Sequence, residues 1–113
     1  MQKLILKLIA GNVSIGKIKD ANIKCDYGDV EIDEVSNKCS VAVDCGNVKV
    51  DKLLIKENSD IKADLGNISI NETNDIYIET KVDLGKTNIG KNNRNADVVL
   101  RLTCNCGNIR VNN

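Results

Sequence analysis

The sequence is 113 residues long, carries 16 basic and 16 acidic side chains, and contains no histidine and no proline. Its balanced charge argues against a nucleic-acid-binding protein, which needs a basic excess to neutralise phosphates, and the missing histidine removes the commonest general base. Hydrophobic residues make up 42% of the chain and aromatic residues only 2%, which is too apolar for disorder and predicts an all-β chain with an aliphatic core.

The first predicted strand runs from Leu4 to Ile9 and is more apolar than any later one. Lys3 and Lys7 interrupt the apolar stretch from Met1 to Gly11, so it is not typical of a signal peptide. No stretch reaches the roughly 20 apolar residues that span a bilayer, and we expect no direct membrane insertion by this segment. Residues 1–113 are expected to form one domain, because this length fits a single domain. Since the chain starts inside a strand pattern, a fragment of a longer protein is the alternative.

A glycine followed by a polar residue and two alternating aliphatic positions then returns along the chain. Successive glycines lie 17, 18, 20, 19 and 22 residues apart, and the fifth copy is degenerate. The copies are Gly11-Asn12-Val13-Ser14-Ile15, Gly28-Asp29-Val30-Glu31-Ile32, Gly46-Asn47-Val48-Lys49-Val50, Gly66-Asn67-Ile68-Ser69-Ile70, Gly85-Lys86-Thr87-Asn88-Ile89 and Gly107-Asn108-Ile109-Arg110-Val111.

Positions counted from each glycine form columns of like residues. Positions −5, −3, −1, +2 and +4 are mostly apolar, which predicts two strands per repeat with one buried face and about 30 buried side chains. The alternation slips at the glycine, which indicates a corner. The −1 column, predicted to face inward, contains Ala10, Tyr27, Cys45, Leu65, Leu84 and Cys106.

Columns of like residues arise when each repeat lies parallel on the one before it. The sequence therefore predicts an all-β, single-domain parallel β-helix, or β-solenoid, of about six coils, with a handedness that the pattern does not determine. No capping helix is predicted at either end. The polar segment from Gly90 to Ala96 is predicted to be the most mobile.

The recurring Asp-x-Gly-Asn-[Val/Ile]-x-[Ile/Val] unit resembles the DUF4097 family of adhesin-like, envelope-associated bacterial proteins, and is similar also to the related head GIN domains. The resemblance extends from about Leu4 to Val111. It implies a β-solenoid, association with the bacterial cell envelope or a cytoplasmic location, and no catalytic motif.

All five cysteines are predicted to face inward as reduced, small core residues. Disulfides and a zinc site are the alternatives, but no two cysteines share a column in adjacent coils, and the Cys104-Asn105-Cys106 spacing is not that of a zinc site. Tyr27 is predicted to be a core residue or a corner plug, and Tyr77 to face outward.

The −2 column contains a ladder of aspartates: Asp26, Asp44, Asp64 and Asp83. The favoured interpretation is that each aspartate opens its turn through a side-chain hydrogen bond, with the −4 lysines Lys24, Lys62 and Lys81 screening the charge. Calcium binding and paired-carboxylate catalysis on a polysaccharide are the alternatives. The +1 asparagines, Asn12, Asn47, Asn67 and Asn108, are expected to stack their amides or to bind the corner backbone.

These observations predict a non-enzymatic scaffold or interaction module, with no catalytic, cofactor-binding or metal-binding residue assigned. A cation-stabilised adhesion repeat is the first alternative, and a polysaccharide-acting enzyme the second. Because the first strand is apolar and unpaired edges invite pairing, we expect the N-terminal coil to be covered by a protein partner, by preceding sequence or by a second copy. Met1 to Lys3 folding over the end is the simpler alternative.

Overall fold

The computed structural model describes residues 3–113, so that Met1 and Gln2, and any fold they make over the first coil, lie outside the described residues. The described chain forms strands and no helix, and therefore no helix long and apolar enough to cross a membrane. The strands are β1 (Lys3–Ala10), β2 (Val13–Tyr27), β3 (Val30–Cys45), β4 (Val48–Leu53), β5 (Ser59–Leu65), β6 (Ile68–Thr73), β7 (Tyr77–Leu84), β8 (Thr87–Ile89), β9 (Val99–Cys106) and β10 (Ile109–Val111).

All strand pairs are parallel, and they place like positions of the repeats on top of one another. Ile23, for example, pairs with Leu6 on one side and with Val41 on the other. The predicted fold class, a parallel β-solenoid, is confirmed. It has about five turns rather than six, because the chain enters just before the first glycine corner and leaves just after the last.

The order of the last two repeats differs from the prediction. Strand β9 lies between β5 and β7, and β10 lies between β6 and β8, so the Gly107 repeat is inserted under the Gly85 repeat. We number the stacked repeats as levels 1 to 6 in spatial order, with corners at Gly11, Gly28, Gly46, Gly66, Gly107 and Gly85.

Polarity explains this exchange of order. In the Gly85 repeat the inward positions −5 and +2 are Thr80 and Thr87, and both are exposed at the end of the stack. In the Gly107 repeat the same positions are Leu102 and Ile109, each 1% exposed. An interior level must bury its inward side chains against neighbours on both sides, so the apolar repeat takes the interior and the polar repeat takes the end.

The core is one cluster of 26 buried apolar residues, aliphatic except for three cysteines. Positions −7, −5, −3, +2 and +4 supply most of it, which confirms four of the five predicted inward columns. The remaining core residues are Ile18, Val35, Leu53, Ile55 and Ile76. Ser59 is the buried polar exception at position −7, where its hydroxyl accepts a hydrogen bond from the Cys39 N–H at 3.0 Å and donates to the Glu57 carbonyl at 3.1 Å.

The −1 column does not face inward, and this prediction was wrong. Tyr27, Leu65 and Leu84 are 60%, 52% and 70% exposed, and Cys45 and Cys106 are half-buried. The alternation of buried and exposed residues breaks at position −2, before the glycine rather than at it. The side chain at −1 is therefore carried past the edge of the core to the outside of the corner. Tyr27 is consequently neither a core residue nor a plug. Tyr77 lies between the buried residues Ile76 and Ile78, so it is on the outer face of β7 as predicted, where it is half-buried.

Candidate functional site

The corner glycines hold the levels at close range. All six have positive φ, between 126° and 149°, a region that residues with a side chain rarely adopt. From level 2 upward, a Cβ at the glycine would overlap the carbonyl oxygen of the corner glycine in the level below. Each corner below the end level also donates its N–H upward, as from Gly28 to the Cys45 carbonyl at 2.9 Å. The repeated glycine therefore serves the packing of levels.

The +1 side chains form a hydrogen-bonded ladder beside the glycines. The Asn47 Oδ1 accepts the Asn67 N–H at 2.9 Å, and the Asn67 Oδ1 accepts the Asn108 N–H at 2.9 Å. The same bond links the remaining levels, from Asn12 through Asp29 and on to Lys86. The expectation that these asparagines bind the corner backbone is confirmed, and Asp29 takes part as their equivalent. The ladder is an internal structural element, and each of these side-chain oxygens already accepts a hydrogen bond within the solenoid.

The −2 aspartates do not make the turn-opening hydrogen bonds that were predicted for them; among the described residues that role belongs to the +1 ladder. The exchange of levels also places Asn105 between Asp64 and Asp83, with its Nδ2 donating to Asp64 at 3.3 Å. Lys62 contacts Asp64 at 3.7 Å, as the screening interpretation requires. No group of three acidic or cysteine side chains in the described part of the chain is placed to hold a metal ion.

The −1 residues instead form an apolar ridge along the outside of the corner. In spatial order the corner ridge contains Ala10, Tyr27, Cys45, Leu65, Cys106 and Leu84, one residue per level. The levels are about 4.8 Å apart, so the ridge is roughly 24 Å long. Exposed apolar patches of this kind mark interaction surfaces more often than catalytic sites. Sequence reasoning assigned these residues to the core, and only the break at position −2 shows their exposure.

The five cysteines are free, and three of them are buried. Burial raises the pKa of the Cys39 thiol to about 12. The pKa of Cys104 is also raised, first by burial and then by Cys106 and Asp64. Its Sγ donates a hydrogen bond to the Gly66 carbonyl at 3.2 Å. A raised pKa keeps a thiol protonated and poorly nucleophilic, so neither residue is suited to covalent catalysis.

The described surface has no deep cleft. Two of its depressions are open grooves of about 430 and 380 Å³, lined mainly by polar and charged side chains. The larger lies between the β6–β7 link and Lys91, and the smaller lies beside Asp20 and Lys38. Enzyme sites are usually enclosed, apolar cavities with a few convergent polar groups, so these grooves do not point to a catalytic centre.

The level-6 end of the solenoid is capped at the start of β7. Asn92 Oδ1 accepts the Ile78 N–H at 2.7 Å, and its Nδ2 donates to the Ile78 carbonyl at 3.0 Å, so one side chain replaces a neighbouring strand. Asn93 adds a backbone bond to the Ile76 carbonyl at 3.1 Å. The segment expected to be loose therefore lies against the end strand β7; its predicted mobility stays a prediction.

The level-1 end has no comparable cover among residues 3–113. Strand β1 pairs only with β2, and its other edge is free. Its inward residues Leu4, Leu6 and Leu8 are only partly buried against the core. Its outward residues Ile5 and Ile9 are 69% and 74% exposed. Among residues 3–113 the solenoid thus has one polar end that is partly capped and one apolar end that is open.

The profile of a protein family described as Toastrack DUF4097 matches residues 1–113, the whole chain. No curated protein and no solved structure matches the chain.

Proposed function

The chain belongs to the Toastrack DUF4097 family, and from the unequal ends of its solenoid we propose that it is a non-enzymatic scaffold or interaction module. The surface that joins it to another polypeptide is the open β1 end. An adhesive role at a bacterial cell envelope, which the resemblance of the repeat implies, is the narrower form of this proposal.

The contrast between the ends carries the proposal. At level 6, Asn92 and Asn93 bond to the start of the last strand, and threonine occupies two of the inward positions. At level 1 the described chain leaves a full strand edge and two exposed isoleucines. Natural sheets blunt exposed edges because an apolar edge pairs readily with another chain, and addition of a strand to such an edge is a common mode of protein recognition.

The corner ridge supports the same class of function. Its exposed side chains lie in a line on a rigid support, beside the carboxylates of Asp26, Asp44 and Asp64. A row of this kind offers shape and charge to a protein partner without forming a pocket for a small molecule.

Adding one more repeat next to β1 tests whether the open end accepts a further strand. An extra copy of residues 18–35 is fused ahead of Met1, and a matched control carries serine at the inward positions of that copy. If the end accepts strands, the apolar copy raises the melting temperature by several degrees, because it buries more apolar surface. It also slows amide exchange in β1 by at least about tenfold. Equal behaviour of the two fusions, with β1 unprotected in both, would refute the proposal.

The cation-stabilised adhesion repeat makes a different prediction. A ligand that binds only the folded state raises the melting temperature by mass action. We expect millimolar calcium to leave the melting temperature within about a degree, because no three acidic side chains among the described residues are placed to hold a cation. A rise of several degrees that is lost on replacing Asp44 and Asp64 with asparagine would favour the adhesion repeat instead.

A further inference from the structure

We propose that the open end pairs with a second copy of this chain, β1 to β1 and antiparallel, around a two-fold axis. This rests on the proposed function and names its partner. Head-to-tail stacking is disfavoured, because it would displace Asn92 from the edge groups of Ile78 and would bury the exposed Thr80 and Thr87 against apolar side chains. Two β1 ends can instead join each other, and that contact closes after two copies.

Hydrogen-bond directions show which groups of β1 are free. At position −8 the Val99 N–H bonds to Asn58 in the level below, and the Tyr77 N–H bonds to Val98 in the level below. At position −7 the N–H and C=O groups of Ile78 point in the opposite direction, away from the level below, and bond to the Asn92 side chain. Peptide groups alternate in direction along a strand.

The same alternation in level 1 turns the N–H and C=O groups of Lys3, Ile5 and Lys7 towards the open edge. These three residues also point their side chains outward, on the exposed face of β1. The N–H and C=O groups of the inward leucines point the other way and pair with β2. The open edge is therefore a regular row of donors and acceptors, ready for an antiparallel partner.

The lysines select the register. Residues opposite each other in an antiparallel pair lie on the same face of the sheet, so the two-fold axis passes through a residue. An axis at Lys7 sets Lys7 against its own copy, and an axis at Ile5 sets Lys3 against Lys7. An axis at Leu6 avoids both: it sets Ile5 against Lys7 and Leu4 against Leu8. Like charges directly opposite are destabilising, and an axis at Leu4 or Leu8 would leave part of β1 unpaired, so the structure favours the axis at Leu6.

The area is adequate for such a dimer. Eight residues at about 3.4 Å each give an edge of roughly 27 Å, and two sheets about 10 Å apart with their outer side chains give a depth of roughly 20 Å. About 540 Å² per copy, or about 1,100 Å² in total, is then covered, which is at the low end for a specific interface. The dimer is therefore expected to form in the micromolar range.

A cysteine placed on the axis tests the register. With Leu6→Cys, the two new thiols lie directly opposite each other, and mild oxidation should give a disulfide-linked dimer in high yield. Leu8→Cys is the matched control: it is also inward and half-buried, but it lies opposite Leu4 and should not cross-link above the wild-type background. Cross-linking of Leu8→Cys alone would overturn the register.

Sedimentation velocity between about 1 and 200 μM tests the dimer itself. The wild-type chain should pass from monomer to dimer and no further. Ile5→Lys, which sets lysine against Lys7, should weaken the dimer at least about tenfold, whereas Asn22→Lys, in the same exposed column one level up, should not. Melting temperatures confirm that both variants fold. A strict monomer, or growth beyond the dimer, would overturn this proposal; the fused-repeat experiment still decides whether the end accepts strands.

Discussion

The corner glycines offer a graded test of how the levels hold together. Gly46→Ala meets two penalties: a positive φ of 149° and overlap of the new Cβ with the Gly28 carbonyl. Gly11→Ala meets only the first, because φ is 126° but nothing lies within 4 Å of its Cβ. Gly16→Ala meets neither, since its Cβ enters open space and its φ is ordinary. The three substitutions remove the same hydrogen atom, so their differences isolate backbone strain from level packing.

The magnitudes follow from these contacts. Strain at a positive φ costs about 1–3 kcal/mol. In Gly46→Ala, relief of the overlap also separates levels 2 and 3 and weakens two bonds between them, from the Gly28 N–H to the Cys45 carbonyl at 2.9 Å and from the Val30 N–H to the Asn47 carbonyl at 2.9 Å. At about 1 kcal/mol per bond, and with about 1–3 kcal/mol for overpacking, the total is roughly 4–8 kcal/mol. Against a typical stability of about 5–15 kcal/mol, this leaves the domain marginal or unfolded.

Urea and thermal unfolding followed by circular dichroism measure the series. We expect Gly16→Ala to be neutral or stabilising by up to about 1 kcal/mol. Gly11→Ala should lower the melting temperature by about 4–12 °C, at about 4 °C per kcal/mol. Gly46→Ala should lower it far more. If Gly46→Ala cost no more than Gly11→Ala, the glycine column would serve backbone conformation alone, and the argument from close levels would fail.

Three further predictions follow from the order of levels, the asparagine ladder and the buried thiol. Leu102→Thr should destabilise the domain by about 2–3 kcal/mol, because it places a polar side chain in an interior level. Thr80→Asn at the exposed end should change the stability by no more than about 0.5 kcal/mol. The reverse result in urea unfolding would indicate that the repeats stack in the order of the sequence. Asn67→Ala should cost about 0.5–1.5 kcal/mol of stability, because it removes the side-chain oxygen that accepts the Asn108 N–H of the next level. Asp44→Ala, outside the asparagine ladder, should be near neutral. Equal losses of stability in the two variants would contradict a stabilising role for the ladder. Burial raises the pKa of Cys39 from 9.0 to about 12, so the contribution of the protonated thiol to stability is complete below pH 9 and is lost as the pH rises towards 12. From pH 8 to pH 10 the wild type should therefore lose about 1.4 kcal/mol more stability than Cys39→Ala. Parallel curves of stability against pH for the two proteins would refute this.

Much of the fold was readable from the sequence because a solenoid repeats its environment at every level. Columns such as Leu6, Ile23, Val41 and Ile61 recur because each level packs on an equivalent one. The glycine corners and the apolar first strand were visible for the same reason. The asparagine column was readable too, although the sequence left stacked amides and backbone bonding as equal alternatives.

Other features depend on contacts that no single repeat contains. The strict alternation placed Tyr27 and Leu65 in the core, but whether a side chain at a corner is buried depends on where the opposite sheet ends. The closing role of Asn92 depends on the return of a loop to the edge of β7. The local sequence pattern carries no information on where the opposite sheet ends or on where this loop returns.

The sequence by itself determined the class of fold, the close-packed corners and the apolar first strand, because these follow from the preferences of each repeat. Only the tertiary structure decided the order of the levels. Thr80 and Thr87 weaken the Gly85 repeat as an interior level, but polarity alone does not say that a later repeat will pass beneath it. That choice is made by the whole stack: the free energy is lowest when Leu102 and Ile109 are buried on both sides and the threonines face water.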